Sequence, residues 1–158
     1  MLTMLVSAAG CSSHEMVSST TSFTCILTVP SEQSLPGPYS GLGEKLWYGS
    51  NHLAVLIPEN GVWPNHNQES QYLYGLFWLS DLYEGPVDPR PPLEVSGQKI
   101  NGQLSALVAS PTNYVVEPGK WLMRTIMRFP APGCWQISGT YMGNELAFTT
   151  WVGAPIVE

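Results

Sequence analysis

Charge is what this chain of 158 residues has least of. Lys, Arg, Asp and Glu together make up 11% of it, under half of the ~25% usual in globular domains. Only six residues are Lys or Arg, they form no cluster, and the net charge is −6. That balance argues against a nucleic-acid partner, whose phosphates need basic patches. Asp occurs only at Asp81 and Asp88, both in turn-like sequence, and Glu is scattered. The spacing shows no facing pair of carboxylates of the kind glycoside hydrolysis needs. There is no G-x-S-x-G, H-E-x-x-H, Walker loop or dinucleotide fingerprint, so no catalytic residue and no cofactor is expected. No CxxC is present and no Cys and His stand at zinc spacing, so no metal site is expected either. His14 and His66 lie in polar linker or loop sequence, where solvation is the ordinary role.

What the chain does have is aromatic and turn-forming residues. Six Trp and seven Tyr are the opposite of a disordered composition. Fourteen Pro and fifteen Gly call for many turns and therefore many short strands. The length suits one domain with a good core.

The first residues, MLTMLVSAAGCSSHE, are apolar from Met1 to Ala9 apart from Thr3 and Ser7. The run is too short for a bilayer span, which takes about 20 residues. It matches the apolar centre of a secretory signal followed by small residues. Ala8-Ala9-Gly10-Cys11 resembles the bacterial lipobox, in which cleavage precedes the Cys and its thiol carries a diacylglyceryl group. No Lys or Arg precedes the run, which departs from that pattern. Residues 1–10 are therefore expected to be a signal peptide and Cys11 a lipidation site. Residues 11–22 follow as a Ser/Thr linker with a reach of ~20 Å. Residues 23–158 form the folded domain. The expected place is the bacterial cell envelope, on the non-cytoplasmic side of a membrane.

Three cysteines are an odd number. If Cys11 takes lipid, Cys25 and Cys134 remain to form a disulfide, which would persist in an exported protein. The alternative is two free buried thiols.

Past Ser22 the periodicity is mostly two. SFTCILTVP (22–30), KLWYG (45–49), HLAVLIP (52–58) and YLYGLFWL (72–79) read as strands. GPVDPRPP (85–92) is extended and unable to feed a central ladder. LEVSGQKI and LSALVAS read as a hairpin around Asn101-Gly102. In KWLMRTIMRF, Trp121, Met123, Thr125, Met127 and Phe129 share one face, with Leu122, Arg124, Ile126 and Arg128 on the other. Trp135, Ile137 and Tyr141 share a face of the next strand. Gly143-Asn144 is a tight-turn signal before a strand with Leu146, Phe148, Thr150 and Val152 inward. With no convincing helix, the fold expected is all-β, an antiparallel sandwich.

Several of these segments also look familiar. Cys25-Ile-Leu-Thr-Val-Pro, Lys45-Leu-Trp, Leu53-Ala-Val-Leu, Leu76-Phe-Trp, Leu93-Glu-Val-Ser-Gly and Phe129-Pro-Ala-Pro-Gly-Cys-Trp-Gln-Ile-Ser-Gly-Thr resemble a group of uncharacterised bacterial exported proteins and lipoproteins. Those run C-P-V-T near the start and F-P-x-x-G-C-W-x-V-T-G near the end; Ile26 stands where they have Pro. The resemblance implies an immunoglobulin-like sandwich of about seven to nine strands with its two Cys in spatial reach. It implies no activity.

The expected role is that of a non-enzymatic lipoprotein, held to a membrane by its lipid and carrying a binding or structural module. Its partner would be an envelope protein or a glycan, and the loops 31–44 and 58–71 would carry contacts. The rival is a carrier for a carbohydrate or a copper ion. Exposed aromatics suit either sugar stacking or protein contacts. The candidate ligand residues are Trp63, Tyr72, Tyr74 and Trp78, because Tyr72, Tyr74, Leu76 and Trp78 share one face and one face of a two-layer sandwich is wet. For copper, Met123, Met127 and Met142 are the soft donors, although a Met stripe at strand spacing is ordinarily core filler.

Overall fold

In the computed structural model, the described residues are 24–30, 47–64, 72–100, 102–117 and 120–154. They form two sheets. The first contains β1 (Trp47–Gly49), β2 (Ala54–Leu56), β4 (Tyr72–Leu79), β6 (Leu107–Val108), β7 (Thr112–Glu117) and β8 (Lys120–Phe129). The second contains β3 (Val62–Trp63), β5 (Glu94–Lys99), β9 (Gly133–Tyr141) and β10 (Asn144–Val152). The sheets pack face to face as an all-β sandwich.

Strand order is β1-β2-β4-β8-β6 in the first sheet, with β7 also on β8, and β3-β10-β9-β5 in the second. All pairings are antiparallel except β3 with β10, where Trp151 faces Val62. This is the order of a constant-type immunoglobulin sandwich, A-B-E-D over C-F-G. β4, β5, β8, β9 and β10 take the places of strands B, C, E, F and G. The ten strands exceed the expected seven to nine because β1, β2 and β3 are two or three residues each. The fourth place of the first sheet is also broken, into β6 and β7. The pairing register shifts by one residue between Val108↔Met127 and Thr112↔Arg124, on either side of Ser110-Pro111. Pro has no N–H to give a ladder, which suits a break at a sheet edge.

The alternation seen in the sequence maps onto this core. Leu76, Trp78, Met123, Met127 and Phe129 from the first sheet meet Trp135, Ile137, Tyr141, Phe148 and Val152 from the second, all buried. The rings interlock: Phe129 meets Trp135 edge-on at 5.0 Å and Trp63 stacks on Tyr74 at 5.3 Å. Buried polar atoms of the rings find partners, as low dielectric demands. Trp78 Nε1 donates to Thr125 Oγ1 at 3.1 Å, and Trp135 Nε1 to the Ala131 carbonyl at 3.2 Å. Gly139 makes room for the Trp78 indole: a Cβ there would lie 2.5 Å from the ring.

Four sequence expectations need correction. Residues 24–30 are not a strand; they touch β10 through Thr28, whose N–H donates to the Thr149 carbonyl at 2.9 Å. The turn between β9 and β10 is Met142-Gly143, one residue earlier than the sequence signal, since Tyr141 pairs with Asn144. Met142 has φ 48° and Gly143 φ 77°, the left-handed pair of a two-residue hairpin turn. The Pro-rich stretch holds a 3₁₀ turn at Gly85–Val87. The hairpin after β5 exists only in part, and Asn101 lies outside the described residues. Lys99 N–H reaches the Leu104 carbonyl at 2.9 Å and Ala106 N–H the Gly97 carbonyl at 2.8 Å, then the chain crosses to the other sheet as β6. Strand β7 has no clear signal in the sequence. Its residues, TNYVVE, carry a β-rich pair, Val115-Val116, but no alternation of apolar and polar side chains.

Candidate functional site

Cys25 and Cys134 are joined in a disulfide, with Cα atoms 5.8 Å apart and a sequence separation of 109. The bridge does not cross the core between sheets as it does in antibody domains. Inward residues of β9 are Trp135, Ile137, Gly139 and Tyr141, so Cys134 points to the outer face of its sheet. The bridge therefore ties the segment ahead of the sandwich to the outside of the second sheet. Thr28 adds two further ties, since its hydroxyl also accepts the Thr149 N–H at 2.9 Å. Cys11 and the expected contact loop 31–44 lie outside the described residues, as do 65–71 of the expected loop 58–71, whose earlier part is not all loop but carries β3 at Val62–Trp63.

The four candidate ligand aromatics are in or beside the core. Trp63, Tyr74 and Trp78 are buried and Tyr72 is half-buried against the same cluster. Tyr74 keeps its hydroxyl satisfied by donating to the carbonyls of Trp63, at 3.0 Å, and Pro64, at 2.9 Å. Burial, with the Tyr72 phenol nearby, holds the Tyr74 pKa above the ordinary 10.0. Burial does the same for Tyr141, with Asp88 and Glu84 adding repulsion. The premise of one wet face holds, but the aromatic side of β4 is the dry one. Met123 and Met127 are likewise core filler, while Met142 sits exposed in the β9–β10 turn. Among the described residues no three of His, Cys, Asp and Glu converge as metal ligands.

One pair that sequence spacing could not bring together is His52 with Asp81, 29 residues apart. β2–β4 pairing aligns Ala54 with Leu79 and so places the two beyond the strand ends. His52 Nδ1 lies 3.2 Å from each Asp81 carboxylate oxygen, with the side chains 64% and 36% exposed. Among the described residues the imidazole makes no other hydrogen bond, so no hydroxyl is set up for activation.

The less ordinary surface is the outer face of the first sheet. At one end it carries a second buried cluster of Trp47, Ala54, Leu79 and Leu122, with Leu56 and Phe77 against it. Toward the other end the face opens. Register puts Phe77 beside Arg124, Gly75 beside Ile126 and Leu73 beside Arg128, with Leu107 on the far side of Arg128. Phe77 and Tyr114 lie 4.9 Å apart, and the Arg124 guanidinium sits about equally over both rings, at 6.0 and 5.9 Å. Its Nε is buried and, among the described residues, makes no hydrogen bond. Next to it lies a groove of ≈ 270 Å³ lined by Leu73, Leu107, Val108, Ala109, Ile126 and Arg128. The sequence groups Leu122, Arg124, Ile126 and Arg128 on one face but assigns that face no role. The signal available was its mixed character: two arginines four residues apart with apolar residues between them.

Comparison with protein-family models, with curated proteins and with solved structures returns no match. Among the described residues, no helix is long and apolar enough to cross a membrane.

Proposed function

We propose that the chain is a non-enzymatic lipoprotein of the bacterial envelope. Cys11 carries the lipid, residues 12–22 are the tether, and the immunoglobulin-like sandwich is a binding or structural module held at the membrane surface. The observation that carries this reading is the Cys25–Cys134 disulfide. Disulfides persist in exported proteins and are rare where thiols are kept reduced. Pairing two of three cysteines also leaves the third, at the end of a signal-like apolar run, for other chemistry. Lipid at that position anchors by burying acyl methylenes, at about 0.8 kcal/mol each, and a lasting hold takes two or more chains.

The disulfide contributes to the same picture mechanically. It fastens the chain just beyond the tether to β9, so a pull on the anchor reaches the sandwich through a covalent link. Phase partitioning of cell extracts tests the anchor. The unaltered chain is expected in the detergent phase and Cys11→Ser in the aqueous phase. Retention of the Ser variant in detergent would remove the lipid from the account.

A further inference from the structure

We propose that the groove on the outer face of the first sheet binds a single-chain anionic amphiphile, a medium-chain carboxylate, with its acid group on Arg128 and its tail against Leu73, Ile126 and Leu107. This does not depend on Cys11 or on export.

The first support is the lining. Five of the six residues around the ≈ 270 Å³ groove are Leu, Val, Ala or Ile. Leu107 is 68% exposed and Leu73 44% exposed, so apolar surface remains unburied on both sides of the groove. The volume lies just under the about 300–1,000 Å³ of sites for drug-sized ligands. It suits one short chain better than a fused-ring or oligomeric ligand.

The second support is charge. Arg124 and Arg128 are two of only six cationic side chains in a protein of net charge −6. Among the described residues neither has a carboxylate in ion-pair range. Arg128 stands in the wall between Leu73 and Leu107. Arg124 leans over Gly75, the neighbour of Ile126: its Nε would be 3.6 Å from a Cβ at Gly75. An arginine fork binds a carboxylate through two parallel hydrogen bonds, and such charge-assisted bonds are about twice as strong as neutral ones. Arg124 does not line the groove, but it stands four residues before Arg128 on the same face of β8 and adds a second positive charge nearby.

Two other occupants fit less well. An extended peptide needs ladder partners for its backbone, but the groove lies on the face of β8, which is paired on both edges. A peptide there would bury unpaired amides, at a cost of several kcal/mol. A bilayer surface would gain only about 1 kcal/mol from each of two arginines, and a concavity is the wrong shape for insertion.

The test is calorimetric titration of the full chain carrying Cys11→Ser, unlipidated whatever the fate of the anchor, with sodium decanoate below its micelle concentration. Saturable one-to-one binding is expected. Decanol, with the same tail and no charge, and acetate, with the same head and no tail, should each bind at least about tenfold more weakly, about 1.4 kcal/mol. Arg128→Gln should lower decanoate affinity by about tenfold while leaving the unfolding midpoint unchanged, because Arg128 is exposed. Leu107→Ser should weaken decanoate and decanol alike. Equal binding of decanol and decanoate, no effect of Arg128→Gln, or binding to anionic vesicles without binding to monomeric decanoate would each overturn the proposal.

Discussion

β8 shows two regions built from one strand. Its inward side chains Met123, Thr125, Met127 and Phe129 are all buried, whereas Leu122, Arg124, Ile126 and Arg128 on its outer face run from buried to exposed over the same rungs. Inside, polar atoms are matched: the Thr125 hydroxyl receives the Trp78 N–H. Outside, one is left over: among the described residues the buried Arg124 Nε has no acceptor. A matched interior is what stability asks for, and exposed Leu73, Leu107 and Arg128 around an apolar groove suit a ligand better than they suit the fold.

That contrast makes graded predictions. The largest effect is expected at Trp78→Ala, which removes a fully buried indole and leaves the Thr125 hydroxyl unpartnered. Denaturant unfolding should show a loss of about 3–5 kcal/mol. A loss under about 1 kcal/mol would mean that the inner face is not the core. Next is Cys134→Ser, for which about 2–5 kcal/mol is expected from the freedom returned to the unfolded chain. The same urea series under reducing conditions should reproduce that loss in the unaltered protein and leave the variant unmoved.

Tyr74→Phe should cost about 1 kcal/mol, since the carbonyls of buried Trp63 and exposed Pro64 lose a donor while Trp63 keeps the Gly153 N–H. It also carries a pH signature. The folded pKa of Tyr74 is raised by burial above the ordinary 10.0. Its contribution is therefore fully present below pH 10 and is lost as the pH rises through the folded value. Stability of the unaltered protein should fall in that alkaline range, and the Phe variant should fall less steeply, the remainder coming from Tyr141. Equal slopes would dismiss Tyr74 as a contributor. The smallest change is expected outside, at Arg124→Met. That substitution gives up the cation–ring attraction to Phe77 and Tyr114 and also relieves the desolvation of Nε. The two effects oppose each other and should cancel to within about 1 kcal/mol. A loss above about 2 kcal/mol would make that arginine structural and erase the contrast between the faces.

The sequence shows the inner face more plainly than the outer one. Strict alternation in KWLMRTIMRF and ELAFTTWV identifies the buried residues of β8 and β10, because a strand's side chains switch faces at every step. YLYGLFWL shows the limit of that rule. Period two sorts Tyr74 and Trp78 from Leu73 and Phe77, yet both sets are apolar or aromatic, so alternation alone cannot say which set is dry. Only pairing resolves it: β4 sits between β2 and β8, and Gly139 across the sandwich accommodates the Trp78 ring. The outer groove is harder still to read. Its walls come from β4, β6 and β8, up to 55 residues apart in sequence from Leu73 to Arg128, and no local pattern joins them. His52 and Asp81 are hidden for the same reason. The disulfide pair was legible only by setting Cys11 aside as the expected lipid site, and its position outside the core was not legible, because an odd count says that one thiol is left over and nothing about where the other two meet.

Export is the central claim, and peptide mapping of the mature protein under non-reducing conditions tests it most directly. The expected result is a chain that starts at a diacylglyceryl-modified Cys11 and contains one cross-linked peptide pair joining Cys25 to Cys134. An intact Met1 followed by an unmodified Cys11, with both downstream sulfurs recovered as free thiols, would contradict it.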